Sequence, residues 1–321
     1  FQGSGDIDLT RVPILSTVHH LWSTQSLGSK LAGFFAGLAF AGTVTPIEKE
    51  AYPALFQHTD FRGQVYALQE LVIDTHALIR ELMKPHQDVI FKIDAMQDIH
   101  LDWRENQLLT FQIHAGARKP LTIKAQKTIF TAGRGNELII NKIKQPDLGM
   151  QKRPVHMVMM KAENLPPLYA HCLGASANPR ITITSHQTDD GKWVWYMGGQ
   201  LAETGVLRSV SEQIEFAQQE LRDLFPWQDF TTAQFASIMV DRAEHKEPNG
   251  NRPSSFSIKE IGNVMIAWPT KLALAPLLSQ EIIARLHGKL APKTSDLRQL
   301  RAWPMPALPL PLWDSVFRNN E

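Results

Sequence analysis

A chain of 321 residues is long enough for one large domain or two of ordinary size. With 43% hydrophobic and 20% charged residues it has an ordinary globular composition, and a formal net charge of +1 argues against a nucleic-acid or acidic-partner surface. A single cysteine, Cys172, excludes an internal disulfide framework and fits a reducing, cytoplasmic setting.

The first residues, Phe1-Gln2-Gly3-Ser4, read equally as the remnant of an expression tag or as natural sequence cut from a longer chain; no initiator Met precedes them. Residues 12–21 read as a strand running into a loop. The stretch 27–44 is rich in Leu, Phe, Ala and Gly and approaches a membrane span of about 20 residues. Lys30 and four glycines interrupt it, and Glu48, Lys49 and Glu50 follow closely, so it reads as a buried or channel-lining helix. Whether it touches a membrane peripherally stays open. No basic region followed by an apolar run marks a secretory signal.

Asp74 is placed to cap a helix over 75–83, whose Leu78, Ile79 and Leu82 form an apolar stripe and which Pro85 closes. Three strand-like runs follow, at 89–93, 108–114 and 121–131. The last ends in Thr131-Ala132-Gly133 and passes through Arg134 and Gly135 into a helix over 136–144. This looks like a dinucleotide-binding turn, whose full fingerprint is G-x-G-x-x-G. Leu138 stands in the place of the third glycine, and no acidic residue follows about 20 positions on at the end of a clear second strand. A later, cofactor-touching strand of a two-domain protein is the better reading.

From Arg153 the character is β-rich, with strands at 154–161, 181–186 and 193–197. Asp189-Asp190-Gly191-Lys192 reads as a hairpin turn. Ser209 or Ser211 can cap a long amphipathic helix through Leu224, with Ile214, Phe216, Ala217 and Leu221 on its apolar side. A strand over 236–240 leads to a polar loop over 241–255. The chain returns as a strand over 261–268, and after Pro269 and Thr270 a helix runs over about 272–287. The Pro-rich tail beyond Leu290 reads as irregular coil.

This order of segments resembles the D-amino-acid-oxidase and glycerol-3-phosphate-dehydrogenase superfamily of FAD-dependent oxidoreductases. Three segments carry the resemblance: Gly63-Gln64-Val65-Tyr66 through Asp74 to Leu82; residues 89–99 with the strands ending in Thr131-Ala132-Gly133; and Gly262 through Trp268-Pro269-Thr270-Lys271-Leu272. Together they extend over most of the chain. One departure stands out. The family opens on a β-α-β unit with G-x-G-x-x-G, and Gly3-Ser4-Gly5, with Asp8 in the last glycine's place and no strand before it, is not that motif. The expectation is then a fragment, a separate N-terminal segment or partner chain that supplies the motif, or a domain that has lost flavin.

The resemblance implies an α/β plus antiparallel β fold, an incomplete FAD-binding Rossmann-like domain interleaved with a mixed-sheet substrate domain. The implied parts are residues 1–60 (substrate domain, with the apolar helix), 61–151 (FAD-binding), 152–255 (antiparallel substrate domain) and 256–321 (return to the FAD-binding part, with the tail). It implies FAD as cofactor, touched by Met96, Thr131, Ala132, Gly133, Trp268, Pro269, Thr270, Lys271 and Leu272. Gly133 would let backbone approach the cofactor. The turn at Trp268–Leu272 would present a helix N-terminus to the flavin, with Thr270 as its cap. Arg242 and Arg252 would hold an anionic group of a small substrate, an amine or an alcohol, through the bidentate guanidinium fork. No catalytic base is named.

Each of these residues has a plainer reading. Gly133 can be an ordinary strand-to-helix turn, Met96 core, the turn at Pro269 a capped surface helix, and the two arginines surface ion pairs. His19 and His20 are adjacent, so on a strand they face opposite sides and do not share a metal, although one could line a substrate cavity. Trp195 and Tyr196 read as core or cavity wall. No G-x-S-x-G, P-loop, H-E-x-x-H or cysteine pair is present, and no metal spacing. Two alternatives stand beside the flavoenzyme: a non-enzymatic, partner-dependent binding module derived from one, and an NAD-binding enzyme using Gly133-Arg134-Gly135.

Overall fold

A computed structural model describes residues 7–24, 44–93, 99–114, 120–174, 178–286 and 303–318. In chain order its elements are β1 (Ile14–Ser16), β2 (His19–Ser23), β3 (Val44–Pro46), β4 (Gln64–Leu68), β5 (Val72–Ile73), α1 (Thr75–Met83), β6 (Ile99–Arg104), β7 (Gln107–Ile113), β8 (Leu121–Ile123), β9 (Thr128–Phe130) and α2 (Asn136–Lys142). They continue as β10 (Met150–Ala162), β11 (Tyr169–Cys172), β12 (Ile181–Gln187), β13 (Trp193–Gly198), α3 (Gln200–Thr204), α4 (Val210–Leu224), β14 (Gln234–His245), β15 (Ser257–Ile261), β16 (Val264–Trp268), α5 (Ala275–Leu286) and α6 (Leu312–Arg318). The chain forms two compact units, each built from separate stretches: residues 1–85, 154–240 and 308–321 in the first, 86–153 and 241–307 in the second.

The first unit holds an eight-stranded mixed sheet in the order β14-β10-β13-β12-β11-β2-β4-β3, with β1 and β5 as a separate pair. β10 with β13, β13 with β12, β12 with β11, β2 with β4 and β4 with β3 pair antiparallel, whereas β11 and β2 are parallel, Ala170 facing His20 and Cys172 facing Trp22. Strand alternation gives this sheet two unlike faces. One carries Trp22, Val65, Val158, Met160, Ala170, Cys172, Ile181, Ile183, Trp195 and Met197 into the main core, where Ala217, Leu221 and Leu224 of α4 meet them. Ser209 caps α4 with a reciprocal capping box to Glu212, which decides between the two serines. Phe216 is 36% exposed, so the buried stripe runs instead through Gln213, Ala217, Leu221 and Leu224. The helix α6 was not legible in the Pro-rich tail. It exists because Phe317 and Trp313 reach apolar ground at Met159, Val194, Tyr196, Ala236 and Ile238 on the opposite face of the sheet.

The second unit holds two three-stranded sheets, β15-β16-β9 and β6-β7-β8. Their shared core contains Ile99, Leu101, Phe130, Ile139, Ile140, Ile143, Val264, Ile266 and Trp268. Asn263 locks the two sheets together: its Oδ1 accepts from Leu108 N at 2.7 Å and its Nδ2 donates to Leu108 O at 2.9 Å.

Several local expectations are corrected. Residues 89–93 form no strand; Val89 closes a turn and Lys92 N bonds Pro304 O at 2.7 Å. The run 121–131 is two strands in two different sheets, β8 and β9. The run 261–268 is the end of one strand and the whole of the next, turned at Gly262, whose φ is +56. A Cβ there would lie 1.6 Å from Asn106 O, so only glycine fits. Residues 241–245 continue β14 instead of opening a loop. In α1, Asp74 caps as expected, accepting from Ala77 N at 2.9 Å, but Ile79 and Leu82 are exposed and Ala77 with Leu78 makes the buried contact. The apolar stretch falls outside the described residues but for Val44, the first residue of β3. Among the described residues no helix is long and apolar enough to cross a membrane.

Candidate functional site

In the second unit, β9 and β16 run parallel, with Phe130 opposite Ile266. Their carboxyl ends therefore lie side by side and bring together Thr131, Ala132 and Gly133 with Trp268, Pro269 and Thr270. Asn136, fully buried at the start of α2, fixes this junction: Ala132 N donates to its Oδ1 at 3.0 Å and its Nδ2 donates to Ala267 O at 3.2 Å. The carboxyl end of parallel strands is where ligands sit in open α/β sheets, because backbone donors at the following turns point outward there.

Gly133 adopts φ +56, a left-handed conformation that glycine alone takes without cost. A Cβ at this position would meet nothing within 4 Å. The backbone at the strand end is thus open on that side. Thr131 and Ala132 are exposed beside it. The expected helix at 136–144 is shorter, Asn136–Lys142, and is preceded by a tight turn through Gly133–Gly135. Arg134 lies 4.0 Å from Asp241.

At the second strand end the side chain of Trp268 is wholly buried in the core, so what it offers outward is backbone. Thr270 does not cap the helix. It takes φ +62, and its hydroxyl donates to Ser255 O at 2.9 Å. Lys271 stands in the cap position of a tight turn over Leu272–Leu274, makes no side-chain cap bond, and the regular helix α5 begins only at Ala275. Lys271 and Leu272 are both exposed. Met96 lies outside the described residues.

Arg242 sits on strand β14, not in a loop, and its Nε donates to Arg153 O at 3.2 Å. Arg153 pairs with the buried carboxylate of Glu244, a contact that sequence reasoning missed because both charges lie in β-rich runs. Arg252 is in the exposed loop after β14, which Gln151 ties down by donating to Asn251 O at 2.8 Å.

A second polar group stands in the first unit. His19 is 7% exposed and its ring centroid lies 4.2 Å from that of His171, edge to face. Burial pushes the His19 imidazole down to about 3 and that of His171 to about 4, so both are neutral at neutral pH. His19 Nε2 has no hydrogen-bond partner among the described residues. His20 faces the other way, as adjacent strand residues must. Trp195 is core, donating to Pro166 O at 2.8 Å, and Tyr196 is half-buried with its hydroxyl pushed up to about 12 by burial. His171 was missed, although the alternation Tyr169-Ala170-His171-Cys172 is the signal that could have found it. Among the described residues no group of three or more His, Cys, Asp or Glu side chains is placed to hold a metal.

No protein-family model matches the chain. It is 40% identical over 314 residues to a Pseudomonas aeruginosa protein named probable FAD-dependent oxidoreductase PA4991, a match that spans 98% of this chain and 78% of that one. The crystal structure of the FAD-dependent oxidoreductase PA4991 from Pseudomonas aeruginosa matches with a TM-score of 0.80 at 37% identity, over 98% of this chain and 79% of that one. L-alpha-glycerophosphate oxidase from Mycoplasma pneumoniae, solved with FAD bound, matches with a TM-score of 0.53 at 12% identity, over 87% of this chain and 75% of that one. L-proline dehydrogenase from P. horikoshii matches with a TM-score of 0.52 at 13% identity, over 84% and 72%. The last two show a shared fold alone.

Proposed function

We propose, since the chain belongs to the family of FAD-dependent oxidoreductases, that it oxidises a small polar substrate, an amine or a hydroxy compound. The observation that carries the cofactor assignment onto particular residues is the open backbone at Gly133, where a left-handed glycine leaves the paired ends of β9 and β16 unobstructed. Thr131, Ala132 and Gly133, with Pro269, Thr270, Lys271 and Leu272, fit a cofactor that is approached through backbone. Trp268 would contribute its main chain while its side chain anchors the strand. FAD held by these residues would supply the redox chemistry, an acceptor for hydride from a substrate C–H.

The chain's own groups orient and exclude. Asn136 holds the two strand ends at fixed separation, so the backbone donors beyond them are pre-aligned. Arg242 and Arg252 are proposed to bind an anionic substrate group; the guanidinium fork suits a carboxylate or phosphate. Both arginines belong, with the residues assigned to the cofactor, to the second unit. No side chain is assigned as a base. A cytoplasmic location belongs to the same reading.

The test is a visible spectrum of the purified protein after FAD is added and the excess removed by gel filtration. A bound flavin band with a shifted maximum, near one per chain, is the expected result. A colourless protein after filtration would overturn the cofactor assignment for this chain.

A further inference from the structure

The face of the eight-stranded sheet turned away from the main core is not uniformly apolar. Alternation places His19 of β2, Tyr169 and His171 of β11, Thr182 and Thr184 of β12 and Tyr196 of β13 on it together. Tyr169, Thr184 and Tyr196 follow one another across the strands, and His171 is opposite Thr182 in the next row. The helix α6 covers the apolar part of this face, around Met159, Val194 and Tyr196. Toward β2 the buried leucines Leu21 and Leu68 are interrupted by imidazole: His19 stands opposite Leu68 and His171 opposite Leu21.

The decisive detail is His19. It is more than nine-tenths buried, yet its Nε2 has no partner among the described residues. A buried polar nitrogen left without a hydrogen bond costs about 1–3 kcal/mol, so a phenylalanine or leucine would serve a plain core better. The His19 ring sits beside a second imidazole, His171, at 4.2 Å from centroid to centroid.

We propose that His19 and His171 recognise an uncharged hydroxyl group of a small-molecule ligand on this face of the sheet. The proposal rests on the reading of the protein as an oxidoreductase of small polar substrates and narrows it to the chemistry of one substrate group. The reason is charge. Burial keeps both rings neutral at neutral pH, and a neutral imidazole offers one donor and one acceptor. That pair matches a hydroxyl, which also gives and takes a hydrogen bond. It supplies no cation to offset the desolvation of a carboxylate or phosphate. The hydroxyls of Thr182 and Thr184 extend the same uncharged chemistry.

The experiment uses the full chain, loaded with FAD and labelled with 15N at histidine, and follows the imidazole nitrogens by NMR. Glycerol 3-phosphate, lactate and glycerol are the probes; inorganic phosphate and acetate carry the anionic end alone. The expected result is that at least one of the first three shifts the His19 and His171 signals while phosphate and acetate leave them in place. Equal shifts from the anions, or no shift from any probe, overturns the proposal. His19→Phe should weaken binding of the active probe about tenfold, the worth of one neutral hydrogen bond, with flavin content unchanged. His19→Gln, which keeps a donor and an acceptor, should stay within about threefold by the same measure and serves if the phenylalanine variant does not fold. Unaltered binding in His19→Phe, or a tenfold loss in a folded His19→Gln, also overturns it. Failure to retain flavin, with the histidine shifts intact, would remove the cofactor assignment and leave this site standing.

Discussion

At the residue scale, one glycine and three buried histidines carry most of the consequence. Gly133 was visible in the sequence as the end of an apolar strand, but its left-handed φ of +56 and the open space beyond it were not, since neither follows from residue type. A valine there should cost about 1–2 kcal/mol from the backbone alone, because a Cβ crowds the next carbonyl in that conformation. Urea unfolding of Gly133→Val should show this loss, and its flavin retention should fall; an unchanged midpoint would mean that the turn relaxes freely. The buried histidines give a second prediction. His19, His171 and His186 are held down to about 3, about 4 and about 4, each chiefly by burial. Between pH 6.5 and 4 the unfolded chain binds protons at these rings and the folded chain does not, so stability falls as pH falls through that window. Each ring contributes up to about 1.4 kcal/mol per pH unit there. Urea midpoints at about pH 7, 6 and 5 should decline in that order. A flat series would show that the rings are solvated.

At the element scale, local signals worked where the stabilising partner is close in sequence. Asp74 was legible as a cap, and Ser209 as one of two candidates with Ser211, because the groups they satisfy, Ala77 N and Glu212 N, are only three residues on. Replacing Asp74 by alanine should cost about 1 kcal/mol and lower the midpoint of unfolding in proportion. No change would show that α1 is held by its contacts around Val12 and Ile73 alone. Local signals failed where the partner is distant. The strand-like run 121–131 looked continuous, yet β8 pairs with β7 while β9 pairs with β16, more than a hundred residues further along the chain. The tail helix α6 gave no periodic signal strong enough against its prolines. It is fixed by Asp189 N donating to Asp314 at 3.0 Å, by an ion pair between Arg318 and Asp189, and by Trp313 stacked 3.7 Å from His186.

At the scale of the whole molecule, each compact unit is assembled from stretches far apart in the chain. The main core of the first unit needs Trp22, Leu55, Phe56 and Val65 from one stretch and Trp195, Ala217 and Phe225 from another. A fragment of residues 154–240 therefore lacks β2, β3 and β4 and, from its own core, Trp22, Tyr52, Leu55, Phe56 and Val65, and should show no cooperative unfolding by circular dichroism. A folded fragment would mean that the missing strands are dispensable cover. The sequence by itself determined the class of fold, the identity of the strand–turn–helix pieces and the family resemblance, because capping, alternation and Gly-containing turns are encoded by neighbours along the chain. Only the tertiary structure decided that Ala132 and Ala267 are bridged by Asn136, that Arg242 stands on a strand, and that His19 meets His171. Those outcomes depend on which distant strands pair and on what burial does to a side chain. Residue type and spacing do not carry that information.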